Sequence, residues 1–118
     1  MIETEFNFAL IFSLCFCNIG GNMLNDTHVH TEFSSDSAEK IENQIERAIF
    51  LGMKSLTITD HHDYDAINEE GMTFILDFDK YFEKLRQLKG YYKNKIKLLV
   101  GVEMGLQRHI LKITLKTL

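Results

Sequence analysis

Several features that mark common protein classes are missing from this sequence of 118 residues. It contains no proline, against an average usage of about 5%. Its two cysteines, Cys15 and Cys17, are one residue apart and so lack the C-x-x-C spacing of many metal and redox sites. We therefore expect reduced thiols in a cytoplasmic protein. The formal net charge of −4 gives no electrostatic basis for binding nucleic acid.

The first 22 residues also lack the marks of a targeting signal or a membrane span. No basic residue precedes Lys40, and Glu3 and Glu5 occupy the region where a signal peptide carries positive charge. The apolar run at residues 6–17 is shorter than the roughly 20 residues that a membrane span needs. We interpret residues 1–22 as an apolar leader of doubtful origin, with Met23 as the native start. A weak signal sequence, or an extra strand or helix packed on the domain, is the alternative.

From residue 23 onward, strand and helix patterns alternate. Strands are predicted at residues 24–30, 54–59 and 96–102, and helices lie between them. The first helix is predicted to begin near Asp36 or Ser37, with Asp36 and Glu39 as a capping box, and to stop at Gly52. The second spans about residues 77–92, with an aromatic-rich apolar stripe that fits core packing. This order predicts one α/β domain with parallel strands, whose carboxyl ends lie on one rim.

Potential metal ligands follow each predicted strand. Asp26, His28 and His30 alternate along the first strand and would share one face. His61 follows the second strand, and Glu103 follows the third. A lone H-x-H pair is often incidental, but three strand ends with imidazole and carboxylate groups together predict a metal site. These ligand types suit zinc, iron or manganese.

Other polar residues near these positions have open roles. Asp36 is either a ligand or the cap of the first helix, and Asp60 could hydrogen-bond a ligand histidine from behind. His62, Asp63 and Asp65 could face substrate or solvent. The sequence has no Ser-centred or Cys-centred catalytic motif. Paired cations that hold a phosphate and activate water need no such protein nucleophile.

Four motifs resemble the first motifs of the PHP (polymerase and histidinol phosphatase) superfamily in order and spacing. They are Asp26-Thr-His-Val-His-Thr, Ser34-Ser-Asp36, Thr59-Asp-His61 and Gly101-Val-Glu103. The resemblance covers about residues 23–107. Within the superfamily, the histidinol-phosphatase branch is the most similar, through Ile58-Thr-Asp-His-His-Asp, Phe78-Asp-Lys-Tyr-Phe and Gly101-Val-Glu-Met-Gly-Leu-Gln107.

The resemblance implies the N-terminal portion of a distorted (β/α)7 barrel with up to three divalent ions in the full-length enzyme. His28, His30 and Glu103 would bind the first ion, Glu103 would bridge to a second, and Asp36 and His61 would bind a third. The implied reaction converts L-histidinol phosphate, a small phosphorylated substrate, to L-histidinol and phosphate in histidine biosynthesis. Another PHP phosphoesterase or nuclease, or a non-catalytic metal-binding remnant, is the alternative.

The sequence also departs from the family pattern. Family members supply two further histidines and an Asp-x-His after the region matched here. His109 lies too close to Glu103 to be one of them, and it resembles part of a Leu-Gln-x-His segment beside the site. Residues 108–118 form a divergent tail. We therefore expect three βα units of an incomplete barrel with an exposed sheet edge, a truncated or frameshifted chain, and little or no activity from it alone.

Overall fold

The computed structural model describes residues 8–9, 24–67 and 71–106, which form a mixed α/β fold. The strands are β1 (Phe8–Ala9), β2 (Asn25–Val29), β3 (Ser55–Ile58), β4 (His61–Ile67), β5 (Thr73–Phe74), β6 (Lys97–Val100) and β7 (Glu103–Leu106). The helices are α1 (Ile41–Phe50) and α2 (Phe78–Tyr91). Within these ranges, neither helix is both long enough and apolar enough to cross a membrane.

The three strands predicted from the sequence form one parallel sheet in the order β2-β3-β6. Asn25 of β2 pairs with Ser55 of β3, which in turn pairs with Lys97 of β6. Because parallel strands run in the same direction, their carboxyl ends lie at one edge of the sheet. The predicted parallel pairing is confirmed, and this edge carries the candidate ligands.

A second sheet continues from that edge, and sequence patterns did not predict it. After β3 and β6 the chain makes a short connection and begins β4 and β7, which pair in parallel with His61 opposite Glu103. The antiparallel strands β1 and β5 extend this sheet to the order β1-β7-β4-β5. The ligand-rich run that begins at His61 is therefore part of a strand, as are residues 73–74, because pairing with distant segments overrides the weak local pattern.

Helix α1 begins later than the sequence predicted. Its N-cap position is Lys40, which makes no side-chain capping bond. The Oε2 atom of Glu32 instead accepts a hydrogen bond from the Ile41 N–H at 3.0 Å. The proposed capping box of Asp36 and Glu39 is therefore wrong. Asp36 remains in the turn before the helix, where its carboxylate faces histidine side chains.

The other predicted helix boundaries agree with the structure. Gly52 follows α1 with φ of 75°, a conformation that glycine adopts without strain. At the start of α2, the Asp77 side chain accepts a hydrogen bond from the Lys80 N–H, and Tyr92 is the C-cap residue. These caps fix the helix ends close to the positions that the sequence indicated.

Both helices pack on the three-stranded sheet and form a single cluster of buried apolar side chains. The cluster contains Ile41, Ile45, Ala48, Leu56, Ile58, Leu76, Tyr81, Leu85, Leu88, Tyr92, Ile96 and Leu98. Full burial of a single leucine or isoleucine side chain contributes about 1.5–3 kcal/mol. This packing provides a rigid support for the polar edge of the sheet.

Candidate metal centre

Three ligand atoms converge at the carboxyl edge of the parallel sheet. His28 lies in β2, His30 follows the end of that strand, and Glu103 is the first residue of β7. The Glu103 Oε2 atom is 2.9 Å from His28 Nε2 and 2.7 Å from His30 Nε2. The two imidazole Nε2 atoms are 2.9 Å apart. Residues from the first and third predicted strand ends thus meet at one point.

The spacing of these atoms fits a shared divalent cation. Ligand atoms that each lie about 2.0–2.2 Å from one zinc ion are roughly 3–3.5 Å from one another. The three separations at His28, His30 and Glu103 are close to that range. A neutral imidazole has one N–H and one lone pair, so two facing Nε2 atoms can both offer lone pairs only to a cation. The donor set therefore suits a metal ion.

A second group of ligand atoms adjoins the first. The Asp36 Oδ2 atom is 2.9 Å from His30 Nδ1 and 3.3 Å from His61 Nε2. His61 Nε2 is also 3.8 Å from Glu103 Oε2. His30 belongs to both groups, since Nδ1–H can donate to Asp36 while Nε2 offers its lone pair to a cation. All five predicted ligand side chains are thus brought together.

The buried Asp60 connects the segments that carry these ligands. Its carboxylate accepts hydrogen bonds from the Thr31 N–H at 2.5 Å and the Thr31 hydroxyl at 2.8 Å. Its carbonyl oxygen accepts the Glu103 N–H at 3.0 Å. Both Asp60 and Thr31 have 0% exposure. Asp60 therefore contacts the residue after His30, rather than a ligand histidine as the sequence suggested.

Tyr81 of α2 belongs to the same hydrogen-bond network as Asp60. Its hydroxyl group donates a hydrogen bond to the Gly101 carbonyl at 2.9 Å, in the connection that leads to Glu103. Burial raises the pKa of the Tyr81 hydroxyl well above its usual range, and the negative charge of Asp60 adds to this. A tyrosine hydroxyl is already protonated at neutral pH, and the raised pKa keeps this donor under more alkaline conditions as well.

Asp63, whose role the sequence left open, is hydrogen-bonded to a candidate ligand. Its Oδ2 atom is 2.7 Å from His61 Nδ1. This hydrogen bond is the main cause of a raised pKa of His61, and the charges of Glu103, Asp63 and Asp36 act in the same direction against burial. The i, i+2 spacing that placed His28 and His30 on one face was the available signal for Asp63.

The remaining predicted residues lie at different positions. The Asp26 Oδ1 atom accepts the His28 N–H at 3.0 Å, so it holds the local backbone. His62 is turned into the protein, where its Nδ1 atom accepts the Leu76 N–H at 3.0 Å and burial lowers its pKa. The Asp65 side chain and the whole of His109 lie outside the described residues.

The same region of the chain matches a known family. The sequence model of the PHP domain matches residues 26–118. The chain belongs to the PHP domain family. This match confirms the family predicted from the four motifs.

Its relatives include histidinol phosphatases. The chain is 36% identical to the histidinol-phosphatase of Lactococcus lactis over 81 residues, which cover 69% of this chain and 29% of that protein. It is 40% identical over 93 residues to a Clostridium acetobutylicum protein named probable histidinol-phosphatase, covering 75% of this chain and 31% of the relative. The chain thus spans about a third of the length of these curated relatives.

A solved structure is also similar. It is the crystal structure of the L. lactis histidinol phosphate phosphatase in complex with zinc, L-histidinol and phosphate, with a TM-score of 0.71 and 31% identity. The similarity covers 80% of this chain and 36% of that one. The structural similarity agrees with the mixed α/β fold. The neighbouring structure contains zinc, and its protein is a histidinol phosphatase like the sequence relative.

Proposed function

We propose that these residues form part of a metal-dependent phosphomonoesterase that converts L-histidinol phosphate to L-histidinol and phosphate. The observation that carries the proposal is the convergence of His28, His30 and Glu103 within 2.9 Å of one another. The similarity to a histidinol phosphate phosphatase that binds zinc, L-histidinol and phosphate supports the choice of substrate. Such a reaction belongs to histidine biosynthesis, which would place the protein in the cytoplasm.

We assign the ligands by the two groups of atoms in the structure. His28, His30 and Glu103 would hold one ion, and Asp36 with His61 would contribute to another, with Glu103 placed to bridge. Zinc, manganese or iron suits these donors, and up to three ions would be present in a complete enzyme. Such cations bind phosphate oxygens and lower the pKa of water near neutral pH.

The chain's own residues determine how these donors are presented. With the His30 Nδ1–H donated to Asp36, the lone pair of His30 lies on Nε2 and would be available to a cation shared with Glu103. Asp60 holds Thr31 and the start of β7, which fixes the distance between His30 and Glu103. We propose that this arrangement forms the first part of a (β/α)7 barrel whose cleft receives the phosphate.

Metal analysis of the purified chain tests the site. His28→Ala and His61→Ala should each lower zinc content and affinity, because each removes an imidazole from a group of ligands. Asp79→Ala is a suitable control, since Asp79 is an exposed residue in the first turn of α2. Zinc content that is equal in both histidine variants and in the unaltered chain would show that the site is wrong.

A substrate panel tests the assigned reaction. L-histidinol phosphate, a nucleoside monophosphate and single-stranded DNA would be offered to the zinc-loaded protein, and released phosphate or nucleotide would be measured. We expect at most slow hydrolysis, with L-histidinol phosphate preferred over the nucleoside monophosphate and no hydrolysis of DNA. Hydrolysis of DNA in preference to L-histidinol phosphate would contradict the proposal and favour a nuclease of the same family.

A further inference from the structure

His61 and Asp63 form a hydrogen-bonded pair on the face of β4 that carries the metal ligands. They are two residues apart in a strand, so their side chains point to the same side. The Asp63 Oδ2 atom lies 2.7 Å from His61 Nδ1. With a proton on Nδ1 donated to Asp63, the lone pair of neutral His61 is on Nε2. That atom faces Asp36 at 3.3 Å and Glu103 at 3.8 Å.

The Asp63 carboxylate is itself enclosed. Asp63 is only 8% exposed. A buried carboxylate is costly unless it is hydrogen-bonded, and the bond with His61 Nδ1 meets that need. Carboxylates that accept from the second nitrogen of a ligand histidine commonly fix its ring orientation and tautomer. The geometry around Asp63 matches that arrangement.

Space for this carboxylate depends on Gly105 in the neighbouring strand. In the parallel pairing of β4 with β7, His61 lies opposite Glu103 and His62 opposite Met104. A Cβ atom at Gly105 would lie 2.2 Å from Asp63 Oδ1 and 3.0 Å from Asp63 Cγ. Contacts this short do not occur between unstrained atoms, so any other residue would displace Asp63. The glycine is explained by close approach of a side chain.

We propose that Asp63 is a positioning residue that acts through His61, and that Gly105 is required because it leaves room for the Asp63 carboxylate. Asp63 sets the tautomer of His61 so that Nε2 is available to a cation. Neither residue is assigned a contact with substrate. The consequence for metal binding rests on the proposed metal-dependent function, whereas the consequence for the His61 tautomer does not.

The first measurement is the zinc affinity of single variants. Asp63→Ala should weaken zinc binding about 10–100-fold, as is typical when a hydrogen-bond partner of a ligand is removed. Asp63→Asn should retain part of the affinity, because its amide oxygen still accepts from His61 Nδ1. Gly105→Ala should resemble Asp63→Ala. Gly90→Ala is the matched control, since an added Cβ at Gly90 meets no atom within 4 Å.

The double variant Asp63→Ala/Gly105→Ala separates this mechanism from general damage. Once the Asp63 carboxylate is absent, the two closest contacts of the Gly105→Ala methyl group are removed, and the Cβ of residue 63 lies at the ordinary distance of 3.4 Å. We therefore expect Gly105→Ala to cause little further loss of zinc affinity in the Asp63→Ala background. Full additivity of the two losses would refute the role of Gly105.

The second measurement reads the His61 tautomer directly in the metal-free chain. Nitrogen-15 NMR of the imidazole, at a pH where it is neutral, should show the Nδ1–H form in the unaltered chain and in Gly90→Ala. Asp63→Ala and Gly105→Ala should shift the population toward Nε2–H, and Asp63→Asn should shift it less. An unchanged tautomer in Asp63→Ala overturns the proposal. Absence of zinc binding in the unaltered chain would instead refute the proposed function and leave this test intact.

Discussion

Replacing the buried Asp60 by alanine should destabilise the protein more than the same replacement of an exposed aspartate. The Asp60 carboxylate accepts from both the backbone N–H and the hydroxyl of Thr31, and both residues are fully buried. A buried donor without an acceptor costs about 1–3 kcal/mol. Two such donors give about 2–6 kcal/mol. Because removing a buried charge offsets part of this loss, we expect about 2–5 kcal/mol.

Asp60→Asn is the informative companion. Its amide oxygen can still accept the Thr31 N–H, and its NH2 group can donate to the Thr31 hydroxyl oxygen. One hydroxyl hydrogen then lacks its acceptor, which predicts a cost of about 1–2 kcal/mol. The exposed control Asp79→Ala should change stability by about 0.5 kcal/mol or less. The expected order of stability is therefore the unaltered chain, then Asn, then Ala at position 60.

The assay is urea unfolding of each metal-free variant in the presence of a chelator, followed by circular dichroism. A cost for Asp60→Ala equal to that of the surface control would refute the argument, as would equal costs for Asn and Ala. Zinc affinity provides a second measurement, because Thr31 directly follows His30. Displacement of Thr31 should weaken zinc binding in the same order as the loss of stability.

Three further predictions concern other parts of the structure. Glu103→Gln should weaken zinc binding at least about tenfold, a change of about 1.4 kcal/mol, because a neutral oxygen replaces the carboxylate nearest the imidazoles of His28 and His30. Calorimetry would measure this loss of affinity, and unchanged affinity would contradict the ligand role of Glu103. Tyr92→Phe should lower the free energy of unfolding in urea by about 1 kcal/mol, because it removes the 2.6 Å hydrogen bond to Glu46. Tyr91→Phe, at the exposed neighbouring residue, should leave the free energy of unfolding unchanged. That bond raises the pKa of Tyr92 to about 12 from an ordinary value of 10.0, so the stability it provides is complete below pH 10 and is lost as the pH rises through 12; a Tyr92→Phe variant with the same alkaline decline would exclude this cause. The 118-residue chain should release phosphate from L-histidinol phosphate far more slowly than the L. lactis relative, because about two thirds of that protein's length has no counterpart among the residues tested; equal turnover would contradict this.

The sequence predicted the parallel sheet and the ligand edge because those features follow from local patterns. Apolar runs defined the strands, and His28, His61 and Glu103 could be placed from the strand ends alone. The pairing of β4 with β7 could not be predicted in this way. Side chains of β4 alternate between the face that carries the candidate ligands and the protein interior, rather than between solvent and core. In the sequence, His61 and Asp63 therefore resemble a polar loop.

Two other features depend on contacts that no local pattern contains. Asp36 has the composition and spacing of a helix cap, but the imidazoles of His30 and His61 face its carboxylate, and α1 starts at Ile41. Gly105 has no unusual backbone angle, and its requirement comes from the Asp63 side chain across the strand pair. Tertiary proximity therefore decided both outcomes.

His61 lies opposite Glu103 in the pairing of β4 with β7, so the proposed metal site would depend on the register of these two strands. A shift of one residue would bring His62 opposite Glu103, with its ring on the other face of the sheet. Misaligned chains would then lack His61 in the ligand set, and the proposed ion that His61 helps to hold would bind only to correctly aligned ones. Free zinc at 100 times the dissociation constant of the site that needs His61 would favour the aligned state by about 2.7 kcal/mol. Zinc present during folding would therefore stabilise the correct alignment of β4 with β7.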